Sequence, residues 1–218
     1  NMIIISPSML SSDLSELYKE SQRMIDAGAD WLHMDIMDGV FVPNITFGFP
    51  ILKSLKKKLP NVFLDCHLMI VNPKKWIKQF SETASSISFH IEACEDITYA
   101  KEVIKECRHH NIEKVGIAIK PNTQITEIIP LIPLIDYVLV MTVEPGFSGQ
   151  TFMKSCLLKI SQLRENYPNI DIQVDGGINT ETLQYCYDSG ANIFVSGSTI
   201  FKSNDPQKKI QEFRNIAK

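Results

Sequence analysis

The 218-residue sequence contains no C-x-x-C pair, no G-x-G-x-x-G or G-x-x-x-x-G-K-[ST] loop, no excess of basic charge and no long apolar run. Each absence removes a class of function. The five cysteines, Cys66, Cys94, Cys107, Cys156 and Cys186, are odd in number and widely spaced. That argues against a disulfide framework or a thiolate zinc site and for reduced, mostly buried thiols. Without either glycine-rich fingerprint, dinucleotides and nucleoside triphosphates are poor ligands, and no nucleotide cofactor is expected. A formal net charge of -3 provides no field for a nucleic-acid backbone, so any anion must be bound locally. The most apolar stretch, Ile128 to Val143, is interrupted by Pro130, Pro133 and Asp136, and no segment reads as a membrane span. The N-terminal residues lack the basic region, apolar stretch and cleavage site of a signal peptide, so the expectation is a cytoplasmic protein with neither membrane nor nucleic-acid partners. Only 10 Gly and 11 Pro, with 44% hydrophobic residues, exclude disorder and collagen-like structure, and the length suits one domain over residues 1–218.

What is present is a rhythm. Short apolar runs near Ile3 to Ser6, Trp31 to Ile36, Val62 to Leu68, Ser86 to His90, Val115 to Ile119, Tyr137 to Met141, Ile172 to Val174 and Ile193 to Ser196 read as strands. Between them lie helical patterns over Asp13 to Ala27, Pro73 to Glu82, Ile97 to His109, Met153 to Asn166, Thr182 to Ser189 and Pro206 to Ala217. The segments after the second and fifth strands read as shorter. Alternation of this kind implies an α/β fold with a parallel sheet, and eight repeats in this length fit a single (β/α)8 TIM barrel better than an open doubly wound sheet.

Strand parity adds chemistry, because alternate side chains face opposite sides. In the second strand Trp31, His33, Asp35 and Met37 share a face; in the third, Phe63, Asp65, His67 and Met69; in the fourth, Ser86, Ser88, His90 and Glu92; in the seventh, Asp171, Gln173 and Asp175. The polar faces must point into the barrel, where unpaired charge costs several kcal/mol, so something must neutralise the carboxylates. His33, Asp35, His67 and Asp175 fall at the C-terminal ends of three strands, the end at which barrel enzymes place catalytic groups. Converging, they form an N2O2 shell suited to one divalent ion, Zn, Fe(II), Mn or Co. Read singly, the histidines would be hydrogen-bonded core residues and the aspartates caps or turn formers.

A second constellation consists of glycine segments at strand ends: Val143 to Gln150, with Gly146, Phe147, Ser148 and Gly149; Asp175-Gly176-Gly177; and Ser196-Gly197-Ser198. Glycine permits close backbone approach to an anion, and successive N–H groups present partial positive charge to a phosphate; singly, each segment would be a turn. Met37, Met69 and Met141, at or just past strand ends, read either as gap fillers or as an apolar lining over a reactive intermediate. Ser8 could hydrogen-bond a sugar oxygen or form a turn with Pro7. His109, His110 and Lys56 to Lys58 read as solvated surface.

The runs Pro7 to Leu10, Leu32 to Gly48, Asp65 to Met69, Phe89 to Ala93, Val143 to Phe147, Val174 to Gly177 and Ser196 to Ser198 together resemble the ribulose-phosphate 3-epimerase family over essentially the whole chain. The resemblance implies a metal held by His33, Asp35, His67 and Asp175, with Asp35 and Asp175 as acid and base on opposite faces of a phosphosugar. It also implies that Ser8, His67 and the three methionines line the sugar site, that the glycine loops hold phosphate, and that the chain forms a homo-oligomer. Ser148 stands where many members carry Gly, and Cys66 where Met is expected, although its parity turns it outward. The implied reaction interconverts D-ribulose 5-phosphate and D-xylulose 5-phosphate, a step of the pentose phosphate pathway, by proton transfer at C3 through a cis-enediolate. The alternatives are an epimerase of a six-carbon ketose phosphate such as allulose 6-phosphate, a lysine-dependent phosphosugar barrel with Lys120 as its candidate, and a non-catalytic phosphate-binding module.

Overall fold

The computed structural model describes residues 1–147 and 149–218. Eight parallel strands, β1 (Ile4–Pro7), β2 (Leu32–Met37), β3 (Leu64–Met69), β4 (Ser86–His90), β5 (Lys114–Ile119), β6 (Tyr137–Met141), β7 (Asp171–Asp175) and β8 (Ile193–Ser196), form one sheet in the order β1-β8-β7-β6-β5-β4-β3-β2. The two end strands meet through a single parallel bridge between Ser8 and His33, so the sheet curls into a nearly closed barrel. Helices surround it: α1 (Leu17–Asp26), α2 (Phe49–Lys58), α3 (Ile77–Phe80), α4 (Ile97–His109), α5 (Leu157–Asn166), α6 (Thr180–Ser189), α7 (Ser198–Phe201) and α8 (Pro206–Ile216). None is long and apolar enough to cross a membrane.

Of the two connections that read as shorter in the sequence, the first is not and the second is. After β2 a regular ten-residue helix, α2, forms, with Gly48 as its N-cap, Pro50 in its first turn and Lys56, Lys57 and Lys58 in its last. Proline loses nothing where helix N–H groups have no partner, and lysines complement the negative C-terminal end. After β5 the chain forms only 3-10 turns, Ile125–Glu127 and Ile129–Leu134, because Pro130 and Pro133 lack the N–H that an α-helix needs.

The outward strand residues Leu32, Met34, Leu64, Cys66, Leu68, Ile87, Phe89, Val138, Val140 and Phe194 pack with the helices in one continuous core. Burying each large side chain there contributes roughly 1.5–3 kcal/mol. Cys66 belongs to this layer, as its parity requires, and four of the five free cysteines are buried, Cys94 being half-buried.

Inside, the barrel is divided. One side is apolar, with Ala118, Tyr137, Leu139, Met141 and Val143 in contact. Gly116 sits beneath Tyr137, where an added Cβ would lie 2.5 Å from the ring. The other side holds Ser6, His33, Asp65, His67, Ser86, Ser88, His90 and Gln173, all fully buried.

Candidate active site

The polar half is organised around Asp65 on β3. Its carboxylate accepts hydrogen bonds from Ser6 Oγ (3.2 Å), Ser86 Oγ (2.7 Å) and Gln173 Nε2 (2.6 Å), and lies 2.7 Å from His33 Nδ1. Burial would raise the Asp65 pKa, but His33 and these donors outweigh it and hold the carboxyl below its ordinary range. An ionised carboxylate can only accept, so the His33 proton on this side is on Nδ1 and Nε2 carries a lone pair.

That lone pair faces upward. His33 Nε2 lies 3.2 Å from Asp35 Oδ1 and 3.2 Å from Asp175 Oδ2, and His67 Nδ1 lies 3.3 Å and 3.4 Å from the same two oxygens. One donor atom from each of the four residues lies within 4.8 Å of all the others, close enough to share a metal ion. The alternation of β2 places His33 below Asp35, β3 supplies His67 from the paired register position opposite Asp35, and β7 ends on Asp175.

His33 Nε2 is buried and makes no hydrogen bond. A lone pair aimed between two carboxylates is repulsive unless a cation or a proton lies among them, so this donor set fits a divalent ion. Without an ion, protons take its place. Burial lowers the His33 and His67 pKa values, but the surrounding aspartates outweigh it and raise both, His33 well above the ordinary range. Conversely, burial would raise Asp35 and Asp175, and the two imidazoles bring both down.

Above the cluster opens a cavity of about 410 Å³. Its walls include Ser8, Asp35, Met37, Met69, Met141 and Asp175, together with Gly146, Phe147, Gly149, Gly176, Gly177, Gly197 and Ser198. The residues read in the sequence as metal, sugar and phosphate contacts therefore meet at one end of the barrel, with His33 and His67 forming the buried floor; Ser148 lies outside the described residues. Ser8 is turned toward Asp35, donating from Oγ to Oδ2 at 2.8 Å.

Gly176 and Gly177 adopt φ of +128° and +66°, a region that side chains disfavour. A Cβ on Gly176 would lie 2.8 Å from the Val143 backbone nitrogen, and one on Gly177 would lie 2.7 Å from that of Phe152. The loops after β6 and β7 thus pack backbone to backbone, leaving their chain exposed to the cavity. Asn44 in the loop after β2 donates to the Gly146 carbonyl (2.9 Å) across the mouth.

Sequence reasoning puts Asp65, His90 and Glu92 inside but gives them no task. His90 Nε2 lies 2.8 Å from His67 Nε2, and His90 Nδ1 lies 2.7 Å from Glu92 Oε1. Burial pushes His90 down to about 4, and although burial would raise Glu92, its contacts with His90 and the Lys120 N–H keep it below the ordinary range. Lys120 is not among the residues lining the cavity; its Nζ lies 4.4 Å from the centroid of the Phe41 ring.

A family model for the ribulose-phosphate 3 epimerase family matches residues 4–201. The chain belongs to the ribulose-phosphate 3 epimerase family. Over 97% of its length it is 43% identical to a ribulose-phosphate 3-epimerase of Eremothecium gossypii, covering 92% of that protein. A relative from Oryza sativa subsp. japonica, named the cytoplasmic isoform, is 44% identical over 96% of this chain and 92% of its own. The Mycobacterium bovis ribulose-phosphate 3-epimerase is 36% identical over 98% of this chain and 93% of its own. This member of the family is accordingly an isomerase of the epimerase class. Among solved structures, KGPDC from Streptococcus mutans superposes with a TM-score of 0.76 at 14% identity, covering 100% of this chain and 98% of that one. A 3-hexulose-6-phosphate synthase does so with a TM-score of 0.69 at 16% identity and full coverage of both chains. At such identities the likeness speaks for the barrel alone.

Proposed function

We propose that this epimerase interconverts D-ribulose 5-phosphate and D-xylulose 5-phosphate, a step of the pentose phosphate pathway, with Asp35 and Asp175 exchanging the C3 proton between opposite faces of the sugar. The observation that carries the reading is the convergence of His33, Asp35, His67 and Asp175 within 4.8 Å beneath a cavity walled by three glycine segments. These four residues would hold one divalent ion, Zn, Fe(II), Mn or Co. That ion supplies Lewis-acid stabilisation, worth several kcal/mol, to the negative charge that develops on the substrate.

The chain's own groups do the rest. The backbone around Gly146 to Gly149, Gly176 to Gly177 and Gly197 to Ser198 grips the phosphate remote from the reacting carbon, which fixes C3 between the two carboxylates and removes the entropic cost of orientation from the chemical step. One aspartate enters the step ionised and removes the proton, giving a cis-enediolate; the other enters it protonated, its proton drawn from solvent, and returns that proton from the far side; in the reverse direction they exchange roles. Two carriers are required because a single group cannot serve both faces. Ser8 holds Asp35 in its ionised, receptive form and can give its hydroxyl to a sugar oxygen instead. Met37, Met69 and Met141 cover the reacting carbons with apolar surface, which strengthens every charge interaction below them.

Turnover of ribulose 5-phosphate in deuterated water, followed at C3 by NMR, tests this reading. The expected product is xylulose 5-phosphate carrying deuterium at C3, at a kcat/KM above that for allulose 6-phosphate assayed alongside. Epimerisation without label at C3 would overturn two-base proton transfer, and a preference for the six-carbon sugar would overturn the substrate.

A further inference from the structure

His67 has two nitrogens within reach of partners, and only one arrangement of its proton suits the role just proposed for it. Nδ1 faces the Asp35 and Asp175 oxygens at 3.3 Å and 3.4 Å; Nε2 faces His90 Nε2 at 2.8 Å. If the ring carried its single proton on Nδ1, it would donate to a carboxylate and have no lone pair to offer a metal at that position. Nothing in the Asp35–His67 contact prevents this.

The prevention comes from β4 and the turn after it. Two imidazole nitrogens 2.8 Å apart must share one proton: one donates and the other accepts. Which does which is decided on the far side of His90. There Nδ1 lies 2.7 Å from Glu92 Oε1, and Glu92 Oε2 accepts the Lys120 backbone N–H at 3.1 Å. A carboxylate so placed accepts at both oxygens, so His90 carries its proton on Nδ1 and presents a bare Nε2. His67 must then donate from its own Nε2, and its Nδ1 is left as a lone pair pointing at the cluster.

The arrangement is also mechanically held. His90 is fully buried, its ring meets that of His67 edge to edge, with centroids 5.0 Å apart and planes 25° apart, and the Phe41 ring packs against it with centroids 5.0 Å apart. Cys94 Sγ donates to the His90 carbonyl at 3.5 Å. Turning the His90 ring over would break both short contacts, and turning the His67 ring over would break the one between the two rings. Asp65 does for His33 in one step what this relay does for His67 in two.

We propose that His90 and Glu92 are positioning residues: through the chain Glu92–His90–His67 they fix the His67 proton on Nε2 and so hold Nδ1 ready to bind the divalent ion. The inference rests on the metal-site reading above and adds to it two residues that touch neither metal nor substrate. Outer partners of this kind typically alter metal affinity by about 10- to 100-fold.

The test reads metal and protons rather than turnover. In the Zn2+-loaded protein, long-range 1H–15N spectra should show His90 protonated on Nδ1 and bare at Nε2, and His67 protonated on Nε2. Co2+ titration in competition with a chelator should give His90→Phe an affinity lower by about 10- to 100-fold than the parent protein, with His33 still protonated on Nδ1. His90→Gln, whose amide oxygen can accept from His67, should recover most of that loss. A parent protein with His90 protonated on Nε2, or a folded His90→Phe with unchanged Co2+ affinity, would overturn the positioning role while leaving the metal site intact. Failure of the parent protein itself to bind Co2+ would instead remove the metal-site reading, and this inference with it. The spectra of the parent protein decide the tautomers even if His90→Phe does not fold.

Discussion

Asp35 and Asp175 are drawn below the ordinary carboxylate range by the same imidazoles that would share an ion with them, so whichever begins turnover ionised is a ready proton acceptor, while the other must take up a proton to serve as donor. Asp35→Asn and Asp175→Asn should each lower kcat by about 100- to 10,000-fold, the usual reach of a positioned acid or base, with unchanged far-ultraviolet circular dichroism. The histidines give a second prediction, for the metal-stripped protein. His33 and His67 have folded-state pKa values raised above the ordinary 6.5, so their stabilisation is complete below that value and is lost as pH rises through the raised values. The lowered aspartates act at the other end, contributing above their ordinary 3.8 and failing as pH falls. The stripped protein should therefore melt at a lower temperature at about pH 8 than at about pH 6. The metal-loaded protein should not show this loss, because bound metal takes the place of the protons. Thermal scans of both forms at the two pH values check the sign.

At the scale of elements, the strands are legible in the sequence and their long-range ties are not. Parity alone separates Asp65 and His67 from Cys66, and both Asp65 and His67 point inward as expected. The four candidate ligands are identifiable because they recur on inward faces at one end of their strands. The full length of α2 is hidden because the long loop from Asp38 to Phe47 obscures its start, and the β5 connection is ambiguous because its prolines oppose the helical period. Asp65 and His90 are visible as buried polar residues, but which atoms they meet depends on register between strands, which no local pattern carries. Lys159 is the clearest such case. It looks like an ordinary lysine of α5, yet its buried Nζ donates to the carbonyls of Lys120 (2.9 Å), Pro121 (2.8 Å) and Thr123 (3.0 Å), tying down the exit of β5 next to Glu92. Lys159→Met would strand those carbonyls and should cost about 2–4 kcal/mol in urea unfolding. The glycine loops make a complementary prediction. Gly177→Ala forces a Cβ against the Phe152 backbone at φ +66°, so displacement of the loop should raise KM for the phosphosugar about tenfold or more and lower stability by about 1–3 kcal/mol.

Across the whole molecule, polar and apolar interior halves divide the labour. The side with Tyr137 and Leu139 supplies packing, while the side with Asp65, His33 and His67 uses hydrogen bonds to keep its charges in place. A ligand that binds only the folded form stabilises it in proportion to the logarithm of its concentration over Kd, so chelation should lower the melting temperature and restored Zn2+ or Co2+ should return it. A melting temperature indifferent to chelation would argue against an ion in the cluster.

The joint between β1 and β2 rests on the Ser8–His33 bridge, on Asp30 and Trp31 donating to the Ile5 carbonyl at 3.0 Å and 3.4 Å, and on Ser8 reaching Asp35. The hoop is therefore fastened at its own workbench: its clasp includes the residues that handle the cargo. Whatever grips His33 and Asp35 also tightens the clasp. Amides flanking it should exchange with solvent soonest in the bare protein and slow most on loading, so that breathing of this one joint registers how fully the enzyme is equipped.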